Sequence, residues 1–139
     1  MVEQRPAKHH GLWHVALNVI NLEACERFYV DLLGYEVEWR PDDNSVYLSS
    51  GKDNLALHKV PEGAVRAAAH GQALDHIGVF VPTIDDVTPW YEFLLAHGVK
   101  MATQPRTHRD GARSFYCYDP DGNKLQVLFH PPIAAAVKS

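Results

Sequence analysis

The chain contains an internal repeat, and each copy carries a histidine at the same place. His14 begins the segment His-Val-Ala-Leu-Asn-Val, and His76 begins the segment His-Ile-Gly-Val-Phe-Val. An aromatic pair follows at the same distance in both copies, so that Tyr29 stands to His14 as Tyr91 stands to His76. A fixed period indicates duplicated supersecondary units whose faces pack together. Duplication relates equivalent side chains by a pseudo-twofold axis, so the two histidines can converge on one point, as metal ligands would.

The composition restricts the class of partner. A chain of 139 residues is long enough for one domain with a buried core, and its net charge of −4 argues against nucleic acid or an anionic membrane as the main partner. We find no apolar run that could span a bilayer and no apolar signal-peptide core. Two cysteines are too few for a disulfide scaffold, so we expect a cytoplasmic protein that binds a small molecule.

Hydrophobic alternation and turn signals predict a β-α-β-β-β order in the first unit, about 12–60. Asn21 is a good helix N-cap, and Gly34 ends the helical pattern that follows it. Alternating apolar residues predict the strands of this unit, which are 12–19, 35–40, 45–49 and 54–60.

The second unit, about 74–130, repeats that order after a linker at 61–72. Thr83 is the expected N-cap of a helix over about 84–97, and Gly98 ends it. The sequence Asp119-Pro-Asp-Gly122 is a strong turn signal between the last two strands. The strands predicted for this unit are 74–81, 99–104, 114–118 and 124–130.

The doubled βαβββ pattern, the paired histidines and the final hairpin, Phe115-Tyr-Cys-Tyr-Asp-Pro-Asp-Gly-Asn-Lys-Leu-Gln126, resemble the vicinal oxygen chelate superfamily. That superfamily includes glyoxalase I, extradiol dioxygenases, fosfomycin-resistance thiol transferases and bleomycin-resistance proteins. The hairpin is nearest in pattern to the fosfomycin-resistance and glyoxalase branches. The resemblance implies one glyoxalase-like domain over 1–139 of class α+β, with two tandem βαβββ units forming half-barrels.

The resemblance also implies a set of metal ligands, taken from the first and last strand of each unit. The matching positions hold His14, Ala56, His76 and Gln126. Ala56 has no donor atom, and Gln126 stands where the family usually has glutamate, so the implied ligands are His14, His76 and Gln126. Imidazole suits zinc, nickel, iron or copper, whereas hard cations prefer carboxylate oxygens, and an amide oxygen is a weaker ligand than a carboxylate. The implied cofactor is a divalent ion, zinc, nickel, iron or manganese.

Other polar residues are candidates for proton transfer and substrate binding. His58 lies two residues after Ala56, on the same side of a strand and ~7 Å further along it, where it would act as general base, substrate contact or additional ligand. The family resemblance places Tyr116 in the cup, as a proton donor or a packing residue. Arg113 and Tyr118 are candidate substrate contacts, and a solvated loop position is the alternative for Arg113.

Three functions remain open on the sequence. The first is a metal-dependent enzyme acting on a small oxygenated substrate, as an isomerase or lyase, a dioxygenase or a thiol transferase. The second is a metal-free binding protein of the bleomycin-resistance type, and the third is a structural or regulatory member without a small ligand. The resemblance further implies a homodimer whose sites are shared between chains.

Overall fold

A computed structural model of the chain describes residues 5, 6, 8–65 and 71–132. The chain divides into two compact units, Met1–Glu62 and Gly63–Ser139. Residues 66–70 of the predicted linker lie outside the described residues. In the described ranges, no helix combines the length and apolar character that crossing a membrane would require.

The first unit follows the predicted βαβββ order. Its described residues form one four-stranded sheet of order β1-β4-β3-β2, in which β1 runs parallel to β4 and the other neighbours are antiparallel. Asn21 caps the helix as expected, because its side chain accepts a hydrogen bond from Ala24 N at 3.0 Å. The elements are β1 (His14–Val19), α1 (Leu22–Arg27), a π-helical turn (Phe28–Leu32), β2 (Glu36–Asp42), β3 (Ser45–Ser49) and β4 (Asn54–Lys59).

Alternation divides the first sheet into a helix-covered face and an open face. The helix-covered face is apolar and buried, and its strand residues include Leu17, Val19, Val46, Leu48, Leu55 and Leu57. The strand register places the residues of the other face side by side. We call this other face the first open face, comprising His14, Ala16, Ser45, Tyr47, Asn54, Ala56 and His58.

The second unit repeats this architecture. Its described residues form a four-stranded sheet of order β5-β8-β7-β6, in which β5 runs parallel to β8. The elements are β5 (Ile77–Phe80), a 3-10 turn (Ile84–Asp86), α2 (Val87–Ala96), β6 (Arg106–Thr107), β7 (Arg113–Tyr118) and β8 (Lys124–Phe129). Its second open face comprises Gly78, Phe80, Ser114, Tyr116, Tyr118, Lys124 and Gln126.

The predicted α+β class with two tandem βαβββ units is confirmed, but one predicted strand is wrong. Residues 99–104 form no strand and make a single bridge, from Met101 to Cys117. The cause is Thr103, whose hydroxyl accepts the Tyr116 N–H at 2.9 Å, a bond that a strand carbonyl would otherwise accept. The edge strand therefore begins later, at Arg106.

Candidate functional site

His14 lies on the first open face, and its imidazole is held by a neighbouring strand. Its Nδ1 is 2.7 Å from Oδ1 of Asn54, which is its register partner on β4. The Asn54 Nδ2 in turn donates to Oε1 of Glu38 at 3.3 Å. Because Asn54 presents its oxygen to the ring, Nδ1 donates, and in the neutral form of His14 the Nε2 atom keeps its lone pair.

His76 precedes β5 and is held in the same way by a different group. Its Nδ1 is 2.7 Å from Oδ2 of Asp75. The hydrogen bond with His76, followed by the positive charge of Lys124, lowers the pKa of Asp75. A carboxylate is an acceptor only, so Nδ1 donates, and in the neutral form of His76 the Nε2 atom keeps its lone pair. Within the described residues neither His14 nor His76 uses Nε2 in a hydrogen bond.

Gln126 presents one oxygen of its amide on the second open face. Its Nε2 donates to Oγ of the buried Ser114 at 3.0 Å, which leaves Oε1 as the free acceptor. Gln126 lies opposite Gly78 on β5, and a Cβ added at Gly78 would be 4.0 Å from that Oε1. The same Cβ would be only 3.3 Å from Cδ2 of Leu128, so the glycine avoids crowding where β5 pairs with β8.

Tyr116 places a phenol ring beside His76 and Gln126. It is the register partner of Gln126, and its ring meets the His76 ring edge-on, with 5.2 Å between centroids. The Lys124 Nζ lies 5.8 Å from the centre of the Tyr116 ring. Tyr118, also on this face, has the Lys100 Nζ 5.4 Å from its ring centre. The structure therefore brings together the predicted residues His76, Gln126 and Tyr116 within one unit.

His58 belongs to an aromatic cluster on the first open face. Its Nδ1 is 2.9 Å from Oγ of Ser45, and its ring meets the Tyr47 ring edge-on at 5.8 Å. Tyr47 also stacks with His14 at 6.5 Å. His58 is four residues beyond the position that faces His14, about 13 Å along β4 at the usual rise. This separation argues against joint ligation of one ion by His58 and His14.

Arg113 does not lie on the second open face. Alternation along β7 turns it to the helix-covered side, where Nη1 donates to Thr107 at 2.9 Å and Nη2 donates to Thr88 at 3.1 Å. These hydrogen bonds connect β7 to β6 and to α2. The expectation that Arg113 contacts substrate stays a prediction, and its contacts are those of a structural residue.

Cys117 has the properties of a core thiol. It is fully buried, as is Cys25. Burial, with a smaller contribution from Asp119, raises the pKa of Cys117 to about 12. A thiol with so high a pKa is protonated near neutral pH and is a poor nucleophile.

Imidazole nitrogen and amide oxygen are donor types that zinc, nickel and iron accept. His14 offers one nitrogen lone pair in the first unit, and His76 and Gln126 offer a nitrogen and an oxygen in the second. No cluster of three or more His, Cys, Asp or Glu side chains suited to a metal occurs among the described residues of the chain. Ala56, at the fourth ligand position implied by the resemblance, contributes a fully buried methyl group.

The sequence analysis did not identify the residues that fix the candidate ligands by hydrogen bonds. Asp75 adjoins His76 in the sequence, and Asn54 faces His14 once the β1–β4 register is known. Those two could have been found from adjacency and strand pairing. Glu38 and Ser114 give no such signal, because their contacts depend on the side-chain packing of the folded sheet.

Comparison with known proteins gives a consistent family assignment. The family model described as "Glyoxalase/Bleomycin resistance protein/Dioxygenase superfamily" matches residues 11–127. A catechol-2,3-dioxygenase of Bacillus subtilis is 25% identical over 122 residues, which cover 86% of this chain and 41% of that protein. The chain therefore spans about two-fifths of the length of that relative.

Solved structures share the fold. A crystal structure of a glyoxalase family protein of Enterococcus faecalis is 28% identical, with a TM-score of 0.68, and the match covers 86% of this chain and 97% of that one. A lactoylglutathione lyase of Agrobacterium tumefaciens is 22% identical, with a TM-score of 0.70, covering 88% and 96% of the two chains. The second of these likenesses shows the fold alone.

Proposed function

Because the chain belongs to the glyoxalase/bleomycin resistance protein/dioxygenase superfamily, we propose that it is a divalent-metal-dependent enzyme acting on a small oxygenated substrate. The observation that carries this proposal is the hydrogen bonding of the two repeat histidines. Each has Nδ1 on a side-chain oxygen at 2.7 Å and Nε2 without a partner among the described residues. Metal-binding histidines are held in this way, with the second ring nitrogen donating to an oxygen acceptor.

In this proposal His14, His76 and Gln126 hold the ion, and zinc or nickel suits the set better than manganese, while iron also accepts imidazole. When bound, such an ion acts as a Lewis acid that polarises oxygen atoms of the substrate. Tyr116, packed against His76 and beside Gln126, is placed to donate a proton to a substrate oxygen. His58, hydrogen-bonded to Ser45, is the candidate general base, and Tyr118 is a substrate contact.

The absence of a carboxylate at two of the implied ligand positions restricts which residues can transfer a proton. An amide does not ionise, so Gln126 cannot act as a carboxylate base, and Ala56 carries no titratable group. Any proton abstraction therefore falls to His58 or Tyr116. Isomerase or lyase, dioxygenase and thiol-transferase chemistry all remain within the proposal. We further propose a cytoplasmic homodimer with sites shared between chains.

The second candidate is a metal-free protein that binds a small molecule. Two observations favour it: the missing donor at Ala56, and an aromatic surface on the first unit. Trp39 is 58% exposed, and its ring lies 5.1 Å from that of Tyr47. Exposed aromatic rings of this kind are common in ligand pockets, and such a surface can bind a ligand without an ion.

The metal content of the purified, untagged protein separates the two candidates. The enzyme proposal expects near-stoichiometric zinc, nickel or iron by elemental mass spectrometry, and loss of that metal in the double variant His14→Ala/His76→Ala. The matched control is His97→Ala, which removes an exposed imidazole whose ring contacts Phe93 at the end of α2. Absence of bound metal after incubation with each ion would favour the metal-free candidate.

A further inference from the structure

A chain of two hydrogen bonds connects His14 to a carboxylate on another strand. Oε1 of Glu38 accepts from Nδ2 of Asn54, and Oδ1 of Asn54 accepts from Nδ1 of His14. We propose that Asn54, held by Glu38, is a positioning residue that fixes His14 as the Nδ1–H tautomer and leaves its Nε2 lone pair free to bind.

The amide of Asn54 alone would not select a tautomer. Turned by half a rotation, it would present its NH2 group to His14, and Nδ1 would then have to be the acceptor with the proton on Nε2. Glu38 removes this freedom, because a carboxylate accepts hydrogen bonds and donates none. The charge of Glu38 therefore decides which end of the amide faces the imidazole.

A β-bulge brings Glu38 to this place. Val37 pairs with Leu48, yet Trp39 pairs with Tyr47, so Glu38 is an extra residue of β2 at this point. Bulges redirect side chains and are common at sheet edges and beside functional sites. β2 is an edge strand of its sheet, and the bulge lets its Glu38 reach Asn54 two strands away.

His76 obtains the same tautomer by a simpler route. Asp75 accepts its Nδ1–H directly, with no intervening amide. The side chain of Asp75 is 79% exposed, so that hydrogen bond faces water. Asn54 is only partly exposed on a central strand, and we expect its hold on His14 to be the more rigid.

The consequence for metal affinity rests on the proposed function, whereas the tautomer can be measured without metal. Partners behind a ligating histidine change metal affinity by about 10–100-fold when they are removed. We therefore expect Asn54→Leu, which keeps the side-chain size but has no acceptor, to weaken zinc binding by about that factor.

Long-range 1H–15N correlation spectra of the metal-free protein, recorded at about pH 8.5 where a free imidazole is neutral, report the tautomer of each histidine. His97 is an internal reference, since its Nδ1 donates to the Phe93 carbonyl at 2.8 Å and must carry the proton. The variants are Asn54→Leu, Glu38→Leu and the matched Asn54→Asp, which retains an acceptor for His14.

The proposal expects a protonated Nδ1 at His14 in the wild type and in Asn54→Asp, and mixed tautomers in Asn54→Leu and Glu38→Leu. A wild-type proton on Nε2, or an unchanged tautomer in Asn54→Leu, would overturn it. So would a changed tautomer with zinc affinity unaltered. If the wild type binds no metal, the proposed function fails, and the tautomers alone decide the positioning role.

Discussion

The two repeat histidines occupy equivalent positions but have acceptors of different charge. His76 donates to the carboxylate of Asp75, whereas His14 donates to the neutral amide of Asn54. A carboxylate partner raises the basicity of an imidazole ligand more than an amide does. We therefore expect His76 to be the stronger electron-pair donor of the two.

Gln126 is the residue at which the donor set can be strengthened. Gln126→Glu places an anionic oxygen where the amide oxygen now stands, and the Ser114 hydroxyl can reverse its role and donate to the carboxylate. We expect this change to tighten zinc binding by about tenfold or more, because the added negative charge attracts the cation. Competition with a chromophoric chelator measures the affinity.

The matched control is Gln126→Leu, which has similar bulk and no donor atom. If Gln126 contacts the ion, this variant weakens zinc binding while the glutamate variant strengthens it. Equal affinities in the wild type and both variants would mean that Gln126 is a wall residue of the second open face and not a ligand.

At the scale of elements, the sequence predicts helices and central strands better than edge strands. β3 has the predicted bounds, because Val46 and Leu48 alternate strictly against polar neighbours. The edge strand β2 contains a bulge at Glu38, and an alternating pattern of apolar and polar residues does not reveal such a bulge. The repeat makes His14 and His76 candidate ligands, which stays a prediction. The acceptor chain behind His14 could not be predicted, because it depends on that bulge.

The start of the second helical segment depends on a capping box. The Thr83 hydroxyl and backbone N–H both contact Oδ2 of Asp86, at 2.8 and 3.0 Å, and the Thr83 side chain receives the Asp86 backbone N–H. Loss of such a cap typically costs about 1 kcal/mol.

We therefore expect Thr83→Ala to lower the free energy of unfolding by about 1 kcal/mol in urea denaturation. Thr83→Ser keeps the hydroxyl and should unfold near the wild-type midpoint. Equal destabilisation by serine and alanine would contradict the cap and point to the threonine methyl group instead.

At the scale of the whole molecule, each sheet has one face that its own helix does not cover. These open faces carry large apolar side chains, including Phe80, which is 50% exposed on the edge strand β5. Exposed apolar groups on a sheet face are common where a second chain binds. The proposed homodimer would bury such apolar side chains against a second chain.

The homodimer predicts a solution mass about twice the 15.6 kDa of the chain, measured by size-exclusion chromatography with light scattering. Phe80→Asp places a charge on the second open face, and we expect it to weaken dimerisation by about tenfold or more if that face is in the interface. Leu95→Asp is the matched control, because Leu95 is 51% exposed but lies on α2. A wild-type mass of one chain at all concentrations would contradict the dimer. Dissociation by Leu95→Asp alone would place the interface on the helix instead of the open face.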